Sequence, residues 1–193
     1  NDTSIGGDLF ALIWIASEQK LYGISAAGWA PEGWTPEFFA NTLDVDRVPN
    51  RGVNGATVPG AIAGYEAMLQ RFGRFGLREA LERAATIAEE GWALSERRHA
   101  DLLSSLDRIN SDPETVATFL VDGQPPPLYS IIRNPGLAQA LRLIQEQGAD
   151  AFYRGPIAEA IVSKVQAGGG VMTLEDLAEF QPEWVEPVTT NYR

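Results

Sequence analysis

Cysteine is absent from the 193 residues, and histidine occurs once, as His99. Without thiols there can be no disulfide framework, no thiolate metal site and no cysteine nucleophile, and the redox compartment stays open. One histidine rules out His-rich metal centres and makes a Ser-His-Asp hydrolase depend on a single side chain. That side chain sits in Ser95-Glu96-Arg97-Arg98-His99-Ala100-Asp101, which reads as a solvated helix face. Basic residues are also scarce: 15 Lys and Arg stand against 26 Asp and Glu, a net charge of −11. A grip on nucleic acid or an anionic membrane needs clustered positive charge, so nucleic acid is not an expected partner. No run approaches 18 apolar residues, and no membrane span is expected. Asn1-Asp2-Thr3-Ser4 carries neither an initiator Met nor the basic opening of a signal peptide, so a processed or excised piece is expected.

What the chain does have is a hydrophobic share of 45%, enough for a sizeable core. Its charge is uneven: residues 1–46 and 146–193 are acidic, whereas the seven Arg of residues 71–108 are cancelled by seven acids. That middle block reads as solvated helix faces laced with i,i+4 pairs. Leu9 to Ile15 is a continuous apolar run of strand length, followed by a polar break at Ser17–Lys20 and then Leu21-Tyr22-Gly23-Ile24. This predicts a hairpin whose first strand is buried on both faces. Trp29, Trp34 and Phe38 punctuate the Gly/Pro-rich loop that follows, and such rings more often anchor a loop than line a pocket.

From Pro59 the apolar period changes from two to about 3.6. Ala61, Tyr65, Met68 and Leu69 share one helical face, and Phe72-Gly73 closes that helix. Leu77, Leu81, Ala84, Ala85 and Ala88 form the next stripe, with Gly91 just beyond its end. Ser95, Asp112-Pro113 and Asn134-Pro135 supply helix starts. Pro156 begins another helix, which Gly168-Gly169-Gly170 ends. Thr173-Leu174-Glu175-Asp176 has the form of a capping box with Asp in the Glu position. Trp184 to Tyr192 alternates weakly, as a strand entering a sheet would. No internal repeat or domain boundary is visible, so residues 1–193 are expected to form a single domain.

Chemical motifs are few. The triple glycine ends a helix and no Lys-Ser/Thr follows it, so it is not a phosphate cradle. Asp44-Val45-Asp46 imitates a calcium loop but has Val48 at the third ligand position. There is no Gly-x-Ser-x-Gly elbow. The pairs Glu89-Glu90 and Glu175-Asp176 fall on helix ends, where solvated acids are ordinary. Read residue by residue, the sequence offers no active site, no metal site and no cofactor.

The order of several segments says more. Ser4-Ile5-Gly6-Gly7-Asp8-Leu9-Phe10 is followed by Trp29-Ala30-Pro31 and then by Ala56-Thr57-Val58-Pro59-Gly60-Ala61-Ile62-Ala63-Gly64-Tyr65-Glu66. Phe72-Gly73-Arg74, Ala88-Glu89-Glu90-Gly91-Trp92, Arg133–Ala138, Gly148–Gly155 and Leu174-Glu175-Asp176-Leu177 come after them. Over essentially its whole length the chain resembles the large subunit of the gamma-glutamyltranspeptidase family. Gly6, Gly7, Pro59 and Gly60 are the structural motif residues this resemblance singles out.

The resemblance implies an α+β fold: a helix-rich part of the αββα sandwich of N-terminal nucleophile hydrolases, with few strands, at the two ends of the chain. It implies a precursor that cleaves itself into a large and a small subunit. The small subunit's new N-terminal Thr would attack a gamma-glutamyl amide, its own α-amine serving as base, so that no His is needed. The implied partners are that small catalytic subunit and a small-molecule gamma-glutamyl or acyl-amide substrate.

The cleavage site and the double glycine that holds the oxyanion belong to the small subunit, so no catalytic residue is expected here. Thr189-Thr190 is rejected as nucleophile because Asn191-Tyr192-Arg193 follows. The resemblance begins inside the family pattern, so an internal large-subunit fragment, inert alone and with sheet edges prone to association, is expected. Family members also place an Arg immediately before Ala-Pro to hold the glutamyl α-carboxylate. Here Trp29 stands there, with Arg47 and Arg51 the nearest alternatives in sequence. That departure favours a different acyl group. Two further readings stay open: a non-catalytic helical interaction module of the same family, and a beta-lactam acylase-like amidohydrolase.

Overall fold

In the computed structural model, residues 4–192 are described. In chain order the elements are β1 (Leu9–Ile15), β2 (Lys20–Ala26), α1 (Ala61–Phe72), α2 (Leu77–Glu90), β3 (Trp92–Ala93), α3 (Glu96–Ser104), α4 (Leu106–Ile109) and α5 (Pro113–Phe119). After them come β4 (Ile131–Ile132), α6 (Pro135–Gln147), α7 (Asp150–Tyr153), α8 (Pro156–Ala167), α9 (Leu174–Ala178) and β5 (Glu183–Val185). The fold is α+β, rich in helix and poor in strand. The contacts divide it into two compact units, residues 4–77 with 147–192, and residues 78–146.

The first unit contains a three-stranded antiparallel sheet in the order β1-β2-β5, so the two ends of the chain share one sheet. The hairpin pairs Leu9 with Ala26 through Ile15 with Lys20, and β5 adds three pairs, Gly23–Val185 to Ser25–Glu183. Ile24, Ala26, Val58, Ala61, Ile62, Phe152, Tyr153, Met172, Leu177 and Phe180 are buried and form its core. Asp176 completes the capping box of α9, accepting from the Thr173 N–H while Thr173 Oγ1 accepts from the Asp176 N–H. The triple glycine does end α8, and Gly169 takes φ +80°.

The second unit holds α3, α4 and α5, the bulk of α2 and α6, and the two-residue ladder of β3 on β4. Ala85, Ala88, Leu94, Ile132, Ala138, Leu141 and Ile144 fill its interior. The polar helix starts fall where the residues direct them. Ser95 accepts from the Arg98 N–H, Asp112 from the Thr115 N–H and Asn134 from the Leu137 N–H. His99 is half-buried on α3.

Three expectations change. β1 is not buried on both faces: Phe10, Leu12 and Trp14 are 70%, 69% and 58% exposed, while their odd-numbered neighbours are half-buried. Strand side chains alternate, and the core covers only the odd face. On α1 the buried positions are Ala61, Ile62 and Gly64, whereas Tyr65 is exposed, so the inward stripe is rotated toward the small residues. The terminal strand stops at Val185, two residues before Pro187, which has no N–H to offer a ladder. The β3–β4 ladder was not foreseen, because two residues are too few to show a period.

Candidate functional site

The motif segments converge at the N-terminus of α1, in the first unit. A helix start leaves backbone N–H groups without intrahelical acceptors, and Gly60, the residue before α1, has no side chain to cap them. The Gly7 carbonyl takes that role. It accepts from the N–H groups of Gly60 (3.1 Å) and Ala61 (2.9 Å). A further donor of this first turn, the Ala63 N–H, is taken by the Tyr153 hydroxyl at 3.1 Å, and that hydroxyl donates to the Pro59 carbonyl at 2.7 Å. Of the four motif residues, Gly7, Pro59 and Gly60 are therefore brought into one hydrogen-bonded junction. Gly6 precedes it, with open space where a Cβ would stand.

Close approach explains two of the glycines. A Cβ on Gly60 would run into the Ala26 carbonyl, and one on Gly28 into the Val58 carbonyl. Backbone meets backbone at both points, so neither neighbour can swing aside. Gly28 is also held through its N–H, which donates to Asp8 Oδ1 at 2.8 Å, and the Val58 N–H donates to the Trp29 carbonyl at 3.0 Å.

The loop Trp29-Ala30-Pro31 is fastened from its other side by α9. The buried Asp176 carboxylate accepts from the Glu32 N–H at 2.8 Å as well as from Thr173. Its backbone carbonyl accepts the Trp29 indole N–H at 3.2 Å. The Trp29 ring meets Phe180 edge-on at 5.1 Å, and Phe180 stacks on Tyr153 at 5.9 Å. Trp34, Phe38 and Phe39 pack on one another around the buried Phe39, as anchors would. Trp29 nevertheless keeps 43% of its surface exposed, so a rigidly held indole face points outward with its only donor already engaged.

The Asp-Ala-Phe-Tyr-Arg-Gly stretch ties the remaining pieces. Arg154 pairs with Asp150 at 2.8 Å and donates to the Ala178 carbonyl at the end of α9. Glu66, on α1, accepts from the Ala149 N–H just before α7. Burial raises the Tyr153 pKa to about 12, which keeps the phenol neutral as the hydrogen-bonded post it forms.

Chemically, the junction is a scaffold. Its polar groups are engaged with one another, and among the described residues no group of three His, Asp or Glu is placed to hold a metal ion. Arg47 and Arg51 are exposed on the loop, and Thr189 and Thr190 lie exposed in extended chain beyond β5. No helix among the described residues is long and apolar enough to cross a membrane. Sequence reasoning did not single out Asp8, Glu66, Tyr153 or Asp176 as fasteners. Asp176 was visible only as a cap, because its second partner, Glu32, lies 144 residues away.

Comparison with known proteins matches essentially the whole chain. The family model described as gamma-glutamyltranspeptidase covers residues 1–193. The chain belongs to the gamma-glutamyltranspeptidase family. It is similar to a glutathione hydrolase-like proenzyme of Bacillus subtilis, 31% identical over 99% of this chain and 36% of that protein. It is also similar to an oxamate amidohydrolase proenzyme of Klebsiella pneumoniae, 33% identical over 98% of this chain and 36% of that one. Among solved structures, the gamma-glutamyltranspeptidase of Helicobacter pylori superposes with a TM-score of 0.91 at 31% identity, covering 98% of this chain and 55% of that chain. A cephalosporin acylase from Bacillus halodurans superposes at 0.90 and 34% identity, covering 98% and 36%. The chain thus spans about a third of the length of the curated relatives it matches.

Proposed function

We propose that residues 1–193 are one continuous piece of the large subunit of a gamma-glutamyltranspeptidase-like enzyme. That enzyme would transfer or hydrolyse gamma-glutamyl or related acyl amides through an acyl-enzyme on an N-terminal Thr. The Thr would lie on a small subunit cut from the same precursor, and this chain would supply scaffold and part of the substrate wall. The observation that carries the reading is the family match along all 193 residues, together with relatives named as proenzymes of which this chain spans about a third. The uncovered apolar face of β1, bearing Phe10, Leu12 and Trp14, supports it, because such a face on an edge strand calls for a covering layer.

Trp29 bears on the acyl group. An indole cannot form the bidentate pair a guanidinium makes with a carboxylate, and its N–H is committed to Asp176. The donor is therefore proposed to be an acyl amide without the glutamyl α-carboxylate, consistent with relatives named as an oxamate amidohydrolase and acylases. The test is to assay the purified 193-residue chain and its full precursor with gamma-glutamyl-p-nitroanilide and with glutaryl and adipyl amides. Turnover by the precursor, strongest on the glutaryl or adipyl amide, is expected. Turnover by the chain alone would overturn the division of labour. A clear preference for the gamma-glutamyl donor would overturn the assignment of acyl group.

A further inference from the structure

β5 is attached to its sheet by very little ladder, three residue pairs on β2 against seven between β1 and β2. Beyond it, residues 186–192 take no regular structure and are mostly exposed. What meets β5 instead is the C-terminal end of α1. The Arg71 guanidinium carbon lies 4.3 Å from the centre of the Trp184 ring, 4.5 Å from that of Tyr22 and 5.1 Å from that of Phe72. The rings contact one another as well: Phe72 meets Trp184 edge-on at 5.5 Å and Tyr22 at 5.0 Å. Each ring comes from a different element, Tyr22 from β2, Phe72 from α1 and Trp184 from β5.

Among the described residues no carboxylate lies within ion-pair distance of Arg71, so the rings are its principal neighbours. Tyr22 is itself held by a carboxylate: its hydroxyl donates to Glu18 at 2.5 Å, which fixes that ring beneath the cation. A guanidinium is planar and weakly hydrated, so it stacks on ring faces in a way an ammonium does not. β2 also yields to β5 at this point: a Cβ on Gly23 would crowd the Val185 carbonyl and side chain.

We infer that Arg71, Tyr22, Phe72 and Trp184 form a latch that docks β5 on the sheet, so that β5 can detach as a unit while the β1–β2 hairpin stays folded. Strand pairing gives β5 its register, and the latch gives it its hold. Such partial opening is the ordinary behaviour of an element with few ladder bonds of its own.

Amide hydrogen exchange on the full chain tests this, comparing wild type with Arg71→Ala, Arg71→Lys and Trp184→Phe. Arg71→Ala is expected to speed exchange at residues 183–185, and at the β2 amides facing them, by tenfold or more. The β1–β2 amides between Leu12 and Tyr22 should change less than twofold. Arg71→Lys should fall between, since it keeps the charge and loses the plane, and Trp184→Phe should weaken the latch less than Arg71→Ala. Unchanged exchange at 183–185 in Arg71→Ala would overturn the latch. Equal acceleration across the whole sheet would overturn the independence of β5, and Trp184→Phe, which preserves a ring, keeps that outcome readable if Arg71→Ala fails to fold.

Discussion

The junction at the start of α1 and the ion cluster of the second unit both hold helices together, by opposite means. In the junction, the Gly7 carbonyl, the Pro59 carbonyl and the Tyr153 hydroxyl are neutral groups in a buried setting, with glycines where backbones touch. In the second unit, Arg142 of α6 reaches Glu89 of α2 through two bonds of 2.8 and 3.0 Å, and Glu82 through one of 2.7 Å. Gln145 adds a bond to Glu82 and another to the Arg78 carbonyl. The glutamates there are exposed. Buried backbone bonds are expensive to leave unmade, whereas exposed ion pairs exchange one solvated state for another. The two regions should therefore respond very differently to mutation, salt and pH.

The sharpest way to break the comparison is to add one carbon to the junction. Gly60→Ala and Gly28→Ala each drive a methyl into a backbone carbonyl. Each should cost about 3 kcal/mol or more, the upper end of what overpacking costs, because neither carbonyl belongs to a flexible side chain. Urea unfolding with unchanged m-value would measure it. A loss under 1 kcal/mol would show that the junction relaxes and is no rigid core.

Next in size is Tyr153→Phe. It keeps the ring between Phe152 and Phe180 but leaves the Pro59 carbonyl without its donor and the Ala63 N–H without its acceptor. A loss of about 1–3 kcal/mol follows from one buried and one part-buried backbone group left unpaired. The same residue gives an alkaline signature. Its folded pKa of about 12 lies above the ordinary value of 10, so the unfolded chain loses this proton first. The contribution is whole below pH 10 and is lost as pH rises from there through about 12. Wild type should lose stability over that window more steeply than Tyr153→Phe, and parallel curves would contradict the assignment.

How far the sequence foretold these regions follows the range of the interactions. Helix starts written in neighbouring residues, such as Asp112-Pro113, Asn134-Pro135 and Thr173–Asp176, were legible because donor and acceptor sit three positions apart. The hairpin was legible from its continuous apolar run of strand length and the polar break after it. The fasteners were not. Gly7 to Gly60, Tyr153 to Pro59 and Asp176 to Glu32 join residues about 50 to 145 apart, and nothing local distinguishes a tyrosine that caps another helix from one that merely fills space. The exposed face of β1 was misread for a related reason. A run of bulky residues reports hydrophobicity on both faces, while burial depends on which layers the chain itself supplies.

Arg142→Ala should have the smallest effect of the three. Both glutamates have pKa values below the ordinary carboxylate range, Glu82 through hydrogen bonds from Gln145 and Arg142, and Glu89 through those from Arg142. A depressed carboxylate contributes stability above its unfolded pKa, which then fades as pH falls through the folded value. The cluster's contribution should thus be present at neutral pH and disappear in acid, below the range where free glutamates titrate. Exposure and screening keep it small, so Arg142→Ala should lower Tm only slightly at low salt and not measurably in 1 M NaCl. Gln145 sharpens the contrast. Its buried amide donates to the Arg78 carbonyl and should hold α6 to α2 whatever the salt. Gln145→Ala should therefore cost more than Arg142→Ala in 1 M NaCl, and the reverse order would mean that the charges, not the buried amide, fasten these helices.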